Sequence, residues 1–192
     1  MTEICYAYNW DDPNCTHRST LKSCTDYPRP DTGLAPPLPR TDFADGATWG
    51  HRIIKDLQSG ASGWIYWNLL LDTNGGPFNL SPSHNDAPNN YQHPLVIVDG
   101  VAGSFQRTGL FDFLAHFSRF VRPGSRRLGT KEHGLPSGVS AVAFSCAAKA
   151  GCNAILQTVN RGTEAQTVSV CSGDGKVVEL HLPPLSIATA KW

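Results

Sequence analysis

The chain has 192 residues, 40% of them apolar, and its 16 Lys plus Arg balance its 16 Asp plus Glu. A neutral surface has no basic field to draw in phosphate backbones, which argues against nucleic acid as a partner. That apolar share is ordinary for a globular chain with a core of its own, in one or two domains.

Residues 1–10 alternate loosely, with Ile4, Tyr6 and Tyr8 on one side, the pattern of a short strand. The opening Met1-Thr2-Glu3-Ile4-Cys5 lacks the charged and apolar regions of a secretory leader. From 11 to 40 the chain carries six prolines and almost no periodicity, which predicts a long loop. A helix is expected next, with Asp42 as N-cap, Phe43, Ala47, Ile54 and Leu57 at helical spacing, and Gly60 to end it.

The run from 64 to 71 is apolar and aromatic almost without a break, and Asn74-Gly75-Gly76-Pro77 punctuates it. Such a run reads as a strand buried on both faces, as in a parallel sheet, and it is too short to cross a membrane. Trp64 and Trp67 then stand near its carboxyl end, where open α/β sheets and barrels place ligand-facing groups. A second irregular loop follows over 78–91, and the short apolar run 95–98 is expected to pair at a sheet edge. Thr108 is placed to cap a helix whose Leu110, Phe111, Phe113, Leu114 and Phe117 form a buried side, stopped by Pro123-Gly124.

Beyond Arg126 the pattern changes to short strands at 139–146, 154–160, 166–171, 176–182 and 187–192. Val178, Leu180 and Leu182 alternate with Glu179 and His181, as in a half-buried antiparallel strand. Asn160-Arg161-Gly162 and Gly173-Asp174-Gly175 supply turns, and an all-β sandwich is expected. The six cysteines, at 5, 15, 24, 146, 152 and 171, include no Cys-x-x-Cys pair, so a zinc site has little support and no metal or cofactor is expected. Cys15 with Cys24, and Cys146 with either Cys152 or Cys171, are spaced to close small disulfide loops. Asn14-Cys15-Thr16 and Asn79-Leu80-Ser81 match the glycosylation acceptor pattern, and a secreted or lysosomal setting is expected. His51 and His116 fall on the two expected helices without a partner at metal-ligand spacing, so both read as packed or surface histidines.

Gly63-Trp64-Ile65-Tyr66-Trp67-Asn68-Leu69-Leu70-Leu71, followed by Asn74-Gly75-Gly76-Pro77, resembles the last barrel strand of the glucosylceramidase-type glycoside hydrolases, family 30. Thr2-Glu3-Ile4-Cys5 resembles the segment that holds the nucleophile in that family. His116-Phe117-Ser118-Arg119-Phe120, with Pro123-Gly124-Ser125, resembles its last barrel helix. The three pieces agree in order and spacing. The resemblance implies α/β plus all-β architecture: the last part of a (β/α)8 TIM barrel over 1–122, then an antiparallel β-sandwich over 123–192. Met1 would then fall inside the penultimate barrel strand, so the chain is expected to be a carboxyl-terminal fragment.

The same resemblance implies chemistry. Retaining glycosidases use two carboxyl groups about 5 Å apart, one to attack the anomeric carbon and one to protonate the leaving oxygen. Position alone makes Glu3 a solvated charge and the two indoles packing groups. The resemblance makes Glu3 the nucleophile, Trp67 a wall of the sugar site, and Asn68 and Asn79 candidate donors to sugar hydroxyls, while Trp64 stays structural. Cys5, two residues after Glu3, reads as a buried structural cysteine. The acid/base would lie upstream, since Glu132, Glu164 and Glu179 fall in the β region and match no motif.

The implied reaction is hydrolysis of glucosylceramide to glucose and ceramide. The implied partners are a glycolipid or β-glucoside, a lipid surface contacted peripherally, and the amino-terminal part of the same enzyme. Taken alone, the 192 residues are expected to be inactive. A β-1,6-glucanase or xylanase of the same family is the alternative enzyme, and a non-catalytic carbohydrate-binding or interaction sandwich the alternative outside catalysis.

Overall fold

The computed structural model describes residues 43–73, 94–147, 151–173 and 175–192 in full, together with the backbone of three strands: β1 (Thr2–Cys5), β2 (Ala7–Asn9) and β5 (Asn90–Gln92). Most of the loops expected at 11–40 and 78–91, and with them Asp42, Asn14, Asn79, Cys15 and Cys24, lie outside the described residues. The chain forms two compact units. One comprises Met1–Glu3, Thr41–Ile65 and Arg107–Trp192, and the other Ile4–Arg40 and Tyr66–Gln106.

The first unit is built on α1 (Phe43–Gln58) and α2 (Gly109–Phe120). Asp45 in the first turn of α1 and Lys55 in its last turn suit the helix dipole, and Gly60, at φ +100°, adopts the left-handed conformation that ends a helix cheaply. Ala47, Trp49, Ile53 and Ile54 form its buried stripe. Phe43, expected on that stripe, is instead 55% exposed, because it stands at the helix's first residue and meets only the edge of the packing, at 6.5 Å from the Phe113 ring. The two helices approach closely because α1 offers glycine there. A Cβ at Gly46 would stand 2.5 Å from the Gly109 carbonyl oxygen, and one at Gly50 would stand 2.6 Å from Phe113. Thr108 caps α2 as expected, its hydroxyl accepting from the Phe111 amide at 3.3 Å.

Beneath the helices lies a four-stranded antiparallel sheet in the order β13-β10-β9-β8, formed by β8 (Arg126–Arg127), β9 (Val139–Ser145), β10 (Ala154–Asn160) and β13 (Ser186–Lys191). β11 (Gln166–Cys171) and β12 (Val177–Leu182) make a separate antiparallel pair, Gln166 opposite Leu182. Every residue of β10 is buried, as befits a strand covered on both faces. The core joins Ala47, Ile53 and Ile54 of α1, Phe113 and Phe117 of α2, and Val142, Phe144 and Val159 of the sheet.

Asn160, read from the sequence as a turn residue, is fully buried. Its Oδ1 accepts from the Gly162 amide at 2.9 Å, and its Nδ2 donates to the carbonyls of Glu164, Leu182 and Pro183 at 2.8, 3.2 and 3.0 Å. The alternation expected along β12 holds only at its inner end. Leu182 is wholly buried, but Val178 is 55% exposed because it stands at the turn end of the hairpin. Of the two open disulfide pairings, the structure has Cys146–Cys152, with Cα atoms 5.7 Å apart, and leaves Cys171 as an exposed free thiol.

The central apolar run is not one strand. It is β3 (Trp64–Trp67) and then β4 (Leu70–Asp72), with Asn68 and Leu69 between them. Nor is it buried on both faces. Tyr66 and Leu71 are buried, while Ile65, Trp67, Leu69 and Leu70 are between 46% and 57% exposed. The halves have different neighbours: β3 lies beside β1, whereas β4 pairs in parallel with β6 (Val96–Asp99), Leu70 opposite Val96. Within the second unit the order is β4-β6-β7, so β6 is the middle strand and not the edge its sequence suggested. The edge is β7 (Ser104–Arg107), exposed along its whole length. β2 and β5 form an antiparallel ladder, Tyr8 opposite Tyr91.

Candidate active site

Glu3 lies in β1, which is hydrogen-bonded to β3, and the Glu3 side chain is outside the described residues. Trp67 closes β3 with about half of its surface exposed, and half-buried Asn68 follows across a cis peptide bond. The Asn68 and Leu69 carbonyls accept from the Leu95 and Val96 amides at 3.1 and 2.9 Å, which ties the break between β3 and β4 to the start of β6.

Trp64, three residues before Trp67, packs against the core between strand and helix. Its Nε1 donates to Asp56 Oδ2 on α1 at 3.2 Å, and its ring meets Trp49 edge-on at 6.1 Å. The alternating burial of β3 puts Trp64 and Tyr66 on one side and Ile65 and Trp67 on the other. The two tryptophans that the sequence presents as a pair therefore face opposite sides of the strand.

His116, Gln157 and Thr189 form a hydrogen-bonded ring within the packing. The Thr189 hydroxyl donates to Gln157 Oε1 at 2.7 Å, so His116 Nδ1, 2.7 Å from that hydroxyl, is the donor to it. Gln157 Nε2 completes the ring by donating to the His116 carbonyl at 2.9 Å. Burial lowers the His116 pKa from its ordinary value, against the attraction of Asp112 and with the help of Arg119. His51 is pushed down to about 4, first by burial and then by the charges of Arg161 and Lys55. Glu132 accepts from Gln58 Nε2 at 3.0 Å, Glu164 lies between β10 and β11, and Glu179 lies in β12. Among the described residues no group of His, Cys, Asp and Glu is placed to hold a metal ion. Hollows of about 700 and 750 Å³ open in the first unit, one along α2 and the turn before β13, the other between β11 and the outer face of β9 and β10, and neither is lined by Trp67 or Asn68.

Residues 39–121 match the model of the glycosyl hydrolase family 30 TIM-barrel domain, and residues 124–190 match that of the family's beta sandwich domain. The chain belongs to glycosyl hydrolase family 30. It therefore carries the carboxyl-terminal part of the family's TIM barrel followed by its β-sandwich.

The third candidate glucosylceramidase of Caenorhabditis elegans is 34% identical over 151 residues, 79% of this chain and 27% of that protein. The lysosomal acid glucosylceramidase of Mus musculus is 29% identical over 77% of this chain and 26% of that protein. An endo-1,6-beta-D-glucanase of Neurospora crassa is 34% identical over 90 residues, 45% of this chain and 18% of that protein. The chain thus spans about a quarter of the length of the glucosylceramidases it matches over most of its own. Among solved structures, SrfJ from Salmonella typhimurium superposes on 86% of this chain and 32% of its own, with a TM-score of 0.67 and 28% identity.

Proposed function

We propose that the chain forms the carboxyl-terminal part of a retaining β-glucosidase that cleaves glucosylceramide to glucose and ceramide, with residues 1–122 in the barrel and 123–192 in the sandwich. The observation that carries this reading is the extent of the matches. Glucosylceramidases align over 79% and 77% of the chain, and the β-1,6-glucanase over 45%.

In this reading Glu3 attacks the anomeric carbon and forms a glucosyl ester, while a second carboxyl group protonates the departing ceramide oxygen. Water then hydrolyses the ester, giving a proton to the same second carboxyl group. None of the described glutamates is assigned that second role. The exposed Trp67 indole covers the C–H face of the pyranose, which supplies affinity without a charge. Asn68 and Asn79 donate to sugar hydroxyls. A glycolipid substrate brings the enzyme to a lipid surface by peripheral contact, and among the described residues no helix is long and apolar enough to cross a membrane. A lysosomal or secreted setting agrees with the Cys146–Cys152 disulfide.

In the full-length protein, Glu3→Gln should abolish turnover, and a mechanism-based fluoroglucoside should label Glu3 in a peptide map. Label on another carboxylate would overturn the assignment. The Neurospora relative supports a second reading, cleavage of β-1,6-glucan. Turnover of a linear β-1,6-glucan without turnover of glucosylceramide would decide for it.

A further inference from the structure

The last turn of α1 holds a polar cluster that no step of the proposed reaction uses. Arg52 Nε donates to both carboxylate oxygens of Asp56, at 3.0 and 3.2 Å, and Trp64 Nε1 donates to the same carboxylate at 3.2 Å. An ion pair one helical turn apart on an open surface would do little. Here the Asp56 side chain is only 19% exposed, and its second task is to catch an indole from another element. Trp64 is thereby held at its N–H by Asp56 and on its ring by the fully buried Trp49.

Trp64 opens β3, and Trp67 closes it on the opposite side of the strand. A strand of four residues makes few ladder bonds, so its rotation about its own axis depends on side-chain anchors. We propose that Asp56, steadied by Arg52, is a positioning residue: by accepting the Trp64 indole N–H it fixes the rotation of β3, and with it the face that Trp67 presents. The inference rests on the reading of Trp67 as a wall of the sugar site. It concerns a residue eleven positions upstream of Trp67, on a different element.

The test is 19F spectroscopy of the full-length protein labelled with 5-fluorotryptophan, with the Trp67 resonance assigned by Trp67→Phe, beside kinetics on a short aryl β-glucoside. Asp56→Leu removes the acceptor, and Trp64→Phe removes the donor while keeping a ring against Trp49. Both should shift or broaden the Trp67 resonance and raise KM about fivefold, the scale of one hydrogen bond, with kcat changed less than about twofold. Asp56→Asn retains an acceptor oxygen and should return the resonance and KM to those of the parent. If both disrupting variants melt at lower temperature with the Trp67 resonance unmoved, Asp56 is a structural residue only and the proposal is wrong. If Asp56→Leu does not fold, Trp64→Phe carries the same decision. A resonance that moves, together with a KM that Trp67→Ala leaves unchanged, would overturn the sugar reading and leave the positioning of Trp67 intact.

Discussion

Replacing Asn160 by Ala should cost far more than its position in a turn suggests. Its carboxamide is wholly buried and joins three segments: the approach to β11 through Glu164, the end of β12 through Leu182 and Pro183, and its own turn through Gly162. The amide group has two hydrogens for its three carbonyl partners, so two donated bonds and one accepted bond are lost. At about 1 kcal/mol for each neutral bond, with buried backbone groups left unpaired, the loss comes to about 3 kcal/mol. Equilibrium urea denaturation of the parent and the variant measures it. Asn160→Asp sharpens the test, because it keeps the acceptor for Gly162 and turns an oxygen toward three carbonyls. Its carboxyl group should then resist ionisation, with a folded pKa above the unfolded value. That variant should accordingly be closer to the parent at pH 4 than at pH 7. A loss below about 1 kcal/mol for Asn160→Ala, or no pH dependence for Asn160→Asp, would refute the view that this side chain ties the two sheets together.

The depressed pKa of His51, about 4, lies below the unfolded value of 6.5, so between those pH values the unfolded chain binds the extra proton. Its contribution to stability is therefore complete above pH 6.5 and is lost as pH falls toward 4, and His51→Gln should flatten the slope of denaturation free energy between pH 7 and pH 5. Gly46→Ala would set a methyl group against the Gly109 carbonyl and the Phe113 ring, and should cost about 1–3 kcal/mol by separating the helices, visible as a lower melting temperature. An unchanged melting temperature would show that the helices can part there without loss.

The sandwich was the most legible part of the chain, because its signal is local. Turn residues bound each strand, and the observed β9–β13 lie within a residue of the spans that alternation and turns mark out. Helix α2 was legible for the same reason: Thr108, the apolar stripe and Pro123-Gly124 all fall within one stretch. β8 and β7 were not, the first because two residues leave no pattern and the second because an exposed edge strand needs no apolar face. The Trp64–Leu71 run misled for a different physical reason. Apolar content reports what a residue can tolerate, whereas burial depends on what lies over it, and the two halves of this run have different neighbours.

That distinction also decides how far the candidate site can be read from letters. Trp64 and Trp67 have the same side chain and the same apolar company, yet one is held to a helix and the other stands half exposed. Their spacing of three puts them on opposite faces of a strand, but no period says which face meets the helix. What separates them is Asp56, eight residues before Trp64 and on another element, where neither the helical nor the strand period connects the pair. A side-chain hydrogen bond across an element boundary leaves no trace in hydrophobic patterning, because a carboxylate in the last turn of a helix looks the same in sequence whether it faces water or an indole. The resemblance singled out Trp67 as a wall of the sugar site. The hydrogen bond from Trp64 gives a physical reason why that neighbour is held to the helix, while the Trp67 indole stands half exposed.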